Sequence, residues 1–127
     1  MKIIQNRVDT VFIHVSDLKS SVRWYCDLFG IEQIPVEKLS GHIYTLNMGE
    51  GRPGITFDDH SQDEGYHFIP SNQALMNFST ADIHKAYEHV KEIGGEMITE
   101  IITHPDLEEF SFKDPDGNIL MVCSCFT

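Results

Sequence analysis

The sequence contains few basic residues, and none of its apolar runs is long. Nine lysines and arginines stand against 20 aspartates and glutamates in 127 residues, which gives a net charge of −11. A nucleic-acid-binding protein needs a basic surface to displace counterions, so we expect no nucleic-acid partner. No apolar run approaches the roughly 20 residues that cross a bilayer, so we also expect no membrane span.

Cysteines are scarce as well, and their number is odd. Cys26, Cys123 and Cys125 cannot all pair within the chain, which is typical of a reducing compartment. The first ten residues, MKIIQNRVDT, contain too short an apolar stretch for a secretory signal. We therefore expect a cytoplasmic protein. Because Cys123 and Cys125 alternate along a predicted strand, we interpret them as buried small apolar residues, with a metal-binding pair as the alternative.

What the chain does contain is an internal repeat within a length that suits one domain. In each copy a strand-like segment precedes an aspartate that can cap a helix, an apolar stripe at helical spacing and a terminal glycine. Asp17 and Gly30 bound the first helix, Asp82 and Gly95 bound the second, and both pairs are offset by 65 residues. A repeat of this kind indicates a fold more strongly than any single motif does.

The turns repeat at the same offset. GEGRP at 49–53 and DPDGN at 114–118 are glycine- and proline-containing hairpin turns, and each precedes a short strand-like segment. We interpret Asp114, Asp116 and Gly117 as turn-forming residues rather than as catalysts, because they match the positions of a tight turn.

Together these patterns predict an α+β fold of two tandem β-α-β-β-β modules that form curved mixed sheets around a central cleft. The modules span residues 8–60 and 74–125, and a loop over 61–73 joins them into a single domain, 1–127.

Strand alternation assigns side chains to the two faces of each sheet. The uniformly apolar faces must pack under the helices, which leaves the mixed faces to line a cavity between the modules. Such a surface suits a small-molecule pocket, although its polar groups could also satisfy one another in a filled core. The residues predicted to line the cleft are Thr10, Phe12, His14, Thr56, Asp58, Leu75, Asn77 and Met121.

Two long motifs resemble a known superfamily. FIHVSDLKSSVRWYCDLFG, followed much later by FKDPDGNILMV, is similar to the vicinal oxygen chelate superfamily, which includes glyoxalase I, extradiol dioxygenases and the fosfomycin- and bleomycin-resistance proteins. The resemblance covers almost the whole chain. It implies the paired-module fold and a homodimer, as in many relatives, but it does not imply a particular reaction.

The resemblance also places the positions at which metal-using members bind a divalent ion. They fall on Thr10, Thr56, Leu75 and Met121, where histidine, glutamate, histidine and glutamate are respectively usual. Catalytic ions need imidazole, carboxylate or thiolate donors, and none of these four residues provides one. We therefore predict that the usual metal site is lost, and we predict no cofactor.

A relocated metal site is the alternative. His14 shares a face with Thr10 but lies about 13 Å along the strand at ~3.3 Å per residue, too far to replace a ligand in place. A shifted site would use His14 with Asp58, or with His60, Glu64 and His67 of the following loop. We interpret His14 first as a histidine at the rim of the pocket.

These observations favour a protein that binds a small organic ligand without the usual metal. The resemblance to bleomycin-resistance proteins implies the same kind of function. Phe12 would offer a stacking surface, and Asp58 would suit a cationic group. Two alternatives stay open. One is a glyoxalase-like lyase, isomerase or dioxygenase-type enzyme with relocated ligands, and the other is a catalytically silent partner protein. The direction of Glu109 is undetermined, because it depends on the register of its hairpin.

Overall fold

The computed structural model describes residues 1–124, so Cys125 lies outside the described part of the chain. Strands and helices are numbered here in chain order. The first module consists of β1 (Thr10–His14), α1 (Leu18–Phe29), β2 (Ile43–Leu46) and β3 (Gly54–Asp58). The second consists of β4 (Asn77–Ser79), α2 (Ile83–Glu92), β5 (Glu96–Met97), β6 (Ile102–Thr103), β7 (Glu108–Lys113) and β8 (Ile119–Cys123).

Each module forms its own mixed sheet. In the first, β3 lies between β1 and β2, parallel to β1 and antiparallel to β2. In the second, the order is β4-β8-β7-β5, with β4 parallel to β8 and with β6 also paired to β7. The α+β class and the mixed sheets are therefore confirmed. The two sheets do not close into a barrel, since β1 and β4 each stand at the end of their sheet's strand order.

The first module has one strand fewer than the repeat predicts. Between α1 and β2 the chain forms a 3-10 turn, Val36–Lys38, with Pro35 directly before it. Proline has no N–H to donate to a strand ladder, and its ring fixes φ, so this segment does not extend the sheet. The first sheet consequently has three strands.

Both helices begin where the sequence predicts. The Asp17 side chain accepts a hydrogen bond from the Ser20 backbone N–H at 2.9 Å, and Asp82 accepts one from the Lys85 N–H at 3.1 Å. The carboxylates satisfy N–H groups that the first helical turn leaves without partners. Gly30, with φ of 64°, ends α1 in the left-handed conformation that glycine adopts without strain.

The helices cover the apolar faces that strand alternation predicts. Ile13 and Phe57 of the first sheet are fully buried and pack in one core with Val22 of α1. Phe110 and Leu120 are fully buried in the second sheet, which α2 covers. None of the helices in residues 1–124 is long and apolar enough to cross a membrane.

The helices hold the modules together through direct contacts. The Trp24 indole N–H of α1 donates to the Ile93 carbonyl at the end of α2, at 2.7 Å. The rings of Phe29 and Phe78 meet edge to face with centroids 5.0 Å apart. The modules therefore share one core.

The DPDGN turn of the second module also contacts the first. Asp116 accepts hydrogen bonds from the Ser16 backbone N–H, at 3.0 Å, and from the Ser16 hydroxyl. The Asn118 amide donates to the His14 carbonyl at 2.9 Å. Residues of the DPDGN turn thus connect the two modules in addition to forming the turn.

Candidate functional site

The residues predicted to line the cleft lie on the sheet faces opposite the helices. Register aligns Phe12 with Thr56 and His14 with Asp58 in the first sheet, and Asn77 with Met121 in the second. Residues paired in this way project to the same side of a sheet. We call this surface the open face; its described strands carry Thr10, Phe12, His14, Ile43, Thr45, Gly54, Thr56, Asp58, Asn77, Ser79, Glu96, Ile102, Glu109, Ser111, Lys113, Ile119, Met121 and Cys123, with Leu75 just before β4.

The open face is more exposed than the predicted cleft. Phe12 is 47% exposed and Leu75 is 39% exposed, because the two sheets do not close over them. A separate groove of about 550 Å³ lies between the modules and is lined by residues such as Val11, Phe29 and Met76. Of the eight predicted residues, only Asn77 reaches that groove.

Three threonines connect through their hydroxyls on the open face. The Thr56 hydroxyl oxygen lies 2.6 Å from that of Thr10 and 2.8 Å from that of Thr45, and the Thr10 hydroxyl donates to the Gly54 carbonyl at 3.1 Å. Since each hydroxyl has one hydrogen, the direction of donation runs from Thr45 to Thr56, then to Thr10 and on to the carbonyl. We call these three residues the threonine chain.

The threonine chain occupies two of the four positions at which metal-using relatives place ligands. Thr56 is only 3% exposed, and its oxygen is engaged by both neighbours. Hydroxyls committed to one another are poor ligands for a transition ion. Sequence analysis missed Thr45, although its register opposite Thr56 follows from the same alternation in β2.

The two corresponding positions in the second module are apolar. Backbone hydrogen bonds fix both residues in place. The Leu75 N–H donates to the Ile119 carbonyl at 2.9 Å, and the Met121 N–H donates to the Met76 carbonyl at 3.1 Å. Their side chains offer neither imidazole nor carboxylate. These two positions therefore provide apolar contact in place of metal ligands.

A group of histidines and aspartates forms at the far end of the same face. We call it the histidine–aspartate cluster; it consists of His14, His42, Asp58, His60 and Asp63. His42 Nδ1 lies 3.0 Å from Asp58 Oδ1, and His14 Nδ1 lies 2.6 Å from His60 Nε2. His60 Nδ1 in turn lies 2.5 Å from Asp63 Oδ2. The ends of β1 and β3, the residue before β2 and the loop after β3 bring these groups together.

The cluster has a defined charge arrangement around Asp58. Burial alone would raise the pKa of the Asp58 carboxyl. Hydrogen bonds from His42 and from the His60 backbone N–H lower it, as do the charges of the two nearby imidazoles. Together these outweigh burial, so the pKa of Asp58 is below its usual value. The hydrogen bond that His42 donates to Asp58 raises the pKa of His42, against a smaller opposing effect of burial. Asp58 is therefore a carboxylate, and His42 holds its proton more tightly than a free histidine does.

The relocated ligands that the sequence suggested come together only in part. His60 Nε2 lies 2.6 Å from His14 Nδ1 and 3.8 Å from Asp58 Oδ2, but the closest groupings of possible ligand atoms within residues 1–124 are His42–Asp58–Asp59 and Asp58–His60–Asp63, which leave out His14. Glu64 and His67 are exposed and belong to neither grouping. Sequence analysis missed His42 and Asp63 as members, because the pairing of β2 with β3 brings His42 to Asp58 and the folded loop after β3 brings Asp63 to His60.

Register also settles the direction of Glu109. It lies opposite Cys123 on the open face, and its Oε2 is 2.8 Å from His104 Nε2. Cys26 and Cys123 are both buried, as small apolar residues would be. The interpretation of Cys125 falls outside the described residues.

Comparison with solved structures identifies the same architecture in other proteins. A superfamily member from Sphaerobacter thermophilus is 21% identical, with a TM-score of 0.72 over 94% of this chain and 98% of that one. A family enzyme from Burkholderia phytofirmans is 17% identical, with a TM-score of 0.73 over 93% and 98% of the two chains. Lactoylglutathione lyase from Agrobacterium tumefaciens is 17% identical, with a TM-score of 0.65 over 95% of each.

At these identities the likeness shows the fold alone. A search among curated proteins found no match. A sequence profile of the Glyoxalase/Bleomycin resistance protein/Dioxygenase superfamily matches residues 7–122, which is nearly the whole chain. This chain therefore belongs to the Glyoxalase/Bleomycin resistance protein/Dioxygenase superfamily.

Proposed function

We propose that the protein binds a small organic ligand on the open face, with no metal ion at the positions that metal-using relatives employ. The observation that carries this proposal is the threonine chain. The hydroxyls of Thr10 and Thr56 are hydrogen-bonded to each other, to the Gly54 carbonyl and to the Thr45 hydroxyl. Leu75 and Met121 add apolar surface at the other two positions. Affinity would come mainly from buried apolar area, and the polar groups would fix orientation.

The chemistry of the open face favours a flat organic cation. Phe12 is 47% exposed, and its ring lies nearly parallel to that of His14, at an interplanar angle of 14°. Exposed aromatic rings stack on planar ligands and attract cations. The Asp58 carboxylate lies at the end of the same face, and the net charge of −11 attracts a positive ligand from a distance.

A second copy of the chain would complete the binding site. Phe12, Ile43, Leu75 and Ile102 on the open face are 39–47% exposed, and a monomer gains nothing from presenting them to water. A partner packed against this face would turn it into the cleft that the sequence suggests. We accordingly propose a homodimer in which the open faces help to enclose the ligand.

An enzyme is the second candidate function. A solved lactoylglutathione lyase shares the fold, and the histidine–aspartate cluster is the observation that favours metal chemistry by relocated ligands. A metal-dependent lyase, isomerase or dioxygenase-type enzyme would lose turnover to a chelator, whereas a binding protein would keep its affinity. The cytoplasmic location and the lack of a nucleic-acid partner remain predictions that rest on composition.

Matched pairs of organic ligands would test the proposed function. Purified protein would be screened by thermal denaturation against planar aromatic cations and their neutral isosteres, and hits would be measured by calorimetry with chelator present. We expect cations to bind better than their isosteres. Phe12→Ala should weaken binding by roughly three- to tenfold, the range of one aromatic contact.

Two further variants make the test specific. Asp58→Asn should weaken binding of the cation much more than binding of the neutral isostere, because it removes the negative charge at the end of the face. His84→Ala, on the exposed side of α2, serves as the control and should bind like the unmodified chain. Equal binding of both isosteres, or full affinity in Phe12→Ala, would contradict this assignment of the open face.

A further inference from the structure

We propose that the groove between the modules binds a small organic carboxylate with an apolar body. We call it the intermodule groove; it has a volume of about 550 Å³, and Val11, Phe29, Met48, Arg52 and Met76 are among its lining residues. That volume lies within the range of natural small-molecule sites. The competing explanation is a packing gap that holds only water.

The apolar walls of the groove lie on the side of the sheets that the helices cover. Val11 and Ile55 are register partners, and they alternate along β1 and β3 with residues of the open face. Phe78 of β4 likewise projects away from the open face. Phe12 and Asp58, on which the proposed cation site rests, do not line the groove, so the two proposals stand independently.

Unpaired sheet edges produce the groove. β1 and β4 each stand at the end of their sheet's strand order, so within residues 1–124 no strand ladder joins the two sheets there. Phe29 and Phe78, whose ring centroids are 5.0 Å apart, span this junction and line the groove. Met48 and Met76 are half-buried in it, and unbranched thioether side chains adapt to the shape of what they contact. The walls can therefore pack around a flexible apolar chain.

Arg52 gives the groove its charge. Among residues 1–124 it is the only charged residue in the lining, and its guanidinium forms no ion pair with them. The Arg52 backbone N–H donates to the Gly49 carbonyl at 3.2 Å, which fixes the residue in its turn. A guanidinium donates two parallel hydrogen bonds to a carboxylate, so Arg52 suits an anionic head group at the edge of an apolar groove.

An adjoining cavity has the same sign of charge. It has a volume of about 340 Å³, shares Phe29 and Phe78 with the intermodule groove, and is also lined by Lys85 and His89. The chain has 20 acidic and 9 basic residues, yet none of the described residues that line either cavity is acidic. An anion would therefore meet attraction here rather than the repulsion that prevails over the rest of the surface.

Methionine methyl spectra locate the ligand without a substitution. Protein labelled with carbon-13 at the methionine methyls would be titrated with hexanoate, octanoate and decanoate. We expect Met48 and Met76 to shift while Met97 and Met121, which lie outside the groove, do not. Affinity should rise about fourfold for each methylene that the groove buries. No shift of Met48 or Met76 at roughly 1 mM decanoate, or a shift of Met121 alone, would overturn the proposal.

A charged and a neutral ligand of equal length test the head group. Calorimetry would compare decanoate with decanamide. Arg52→Gln should weaken decanoate binding by roughly tenfold, as expected for a lost hydrogen bond between charged groups, and should change decanamide binding little. Arg23→Gln, on the exposed side of α1, removes the same charge elsewhere and is the control. Equal losses in these two variants, or a larger loss in Lys85→Gln, would contradict the assignment of Arg52.

Substitution of an exposed wall residue tests the apolar part of the site. Ile31 lines the groove and is 38% exposed, so Ile31→Glu should fold normally, repel the carboxylate and abolish decanoate binding. Ile69→Glu, in the loop between the modules, and Phe12→Ala, on the open face, are the controls and should bind normally. Circular dichroism would establish that each variant is folded. Loss of binding in folded Phe12→Ala would place the ligand on the open face and refute the proposal.

Sedimentation velocity distinguishes a ligand from a second copy of the chain as the occupant of the groove. We expect Ile31→Glu to leave the oligomeric state unchanged. A dimer that Ile31→Glu dissociates, together with methionine spectra that do not respond to decanoate, would identify the groove as an interface between copies and would also overturn the proposal.

Discussion

The Tyr25 hydroxyl donates a hydrogen bond to Asp114 Oδ2 at 2.6 Å, across 89 residues of sequence. Tyr25 is 1% exposed and Asp114 is 4% exposed, so neither group has ready access to water. Asp114 also accepts from the Asn118 backbone N–H at 2.9 Å, which closes the turn. One carboxyl therefore holds the DPDGN turn and ties it to α1 of the other module.

Removing that hydroxyl should destabilise the protein. Tyr25→Phe leaves the Asp114 carboxyl buried with one partner fewer, and a lost buried partner costs about 1–3 kcal/mol. The free energy of unfolding in urea would measure the change. Tyr44→Phe is the matched control, since Tyr44 is only partly buried in β2. Equal losses in the two variants would contradict a special role for the Tyr25–Asp114 bond.

The His42–Asp58 pair should make stability depend on pH. The hydrogen bond to Asp58 raises the pKa of His42 in the folded protein. A raised folded pKa stabilises the protein below the unfolded value of about 6.5, and this contribution is lost as pH rises through the folded pKa. The NMR titration of His42 should therefore have a midpoint above about 6.5.

Asp58→Asn should lower that midpoint and flatten the dependence of unfolding free energy on pH above the unfolded value of about 6.5. Glu88→Gln, on the exposed surface of α2, removes one negative charge elsewhere and should leave the His42 midpoint unchanged. If Glu88→Gln lowers the midpoint as much as Asp58→Asn, general charge rather than this pair raises the pKa.

Within the threonine chain, substitution of the central residue, Thr56, should lower the stability of the protein most. Thr56→Val removes the buried hydroxyl that contacts both Thr10 and Thr45, and we expect a loss of about 1 kcal/mol. Thr45→Val should cost less, because Thr45 is exposed and water can replace its hydroxyl. Chemical denaturation of both variants tests this order, and a larger loss in Thr45→Val would refute it.

Gly95 allows α2 to pack closely on its own sheet. A Cβ at this position would lie 2.4 Å from Val90 Cγ1 and 3.0 Å from the Val90 carbonyl oxygen. Gly95→Ala should therefore cost about 1–3 kcal/mol, as overpacking does. The double variant with Val90→Ala removes the closer contact, so in that background the glycine substitution should cost less. Additive losses in thermal denaturation would contradict this cause.

The proposed homodimer can be tested at Ile43. Its side chain is 45% exposed on the open face, so Ile43→Glu should place a charge in the interface and shift the protein toward monomer. Ile69→Glu is the control, because Ile69 is 78% exposed in the loop between the modules. Sedimentation velocity measures both. A dimer unaffected by Ile43→Glu would exclude this part of the open face from the interface.

Local sequence predicted much of the fold. The Asp17 and Asp82 caps and the Gly30 terminus act within a single turn of helix, so neighbouring residues alone specify them. Alternation in β1 and β3 likewise assigned Ile13 to the core and Phe12 to the open face, because the two-residue period is a property of the strand itself. The missing strand in the first module had a local cause too, Pro35, which the repeat argument overlooked.

The sequence by itself determined that imidazole and carboxylate are absent at Thr10, Thr56, Leu75 and Met121, since the identity of a residue fixes which donors it has. Only the tertiary structure decided which side chains meet. The loop after β3 turns His60 and Asp63 back onto Asp58, and packing of the modules brings Tyr25 to Asp114. Such contacts depend on the summed geometry of elements far apart in sequence, which no local pattern encodes.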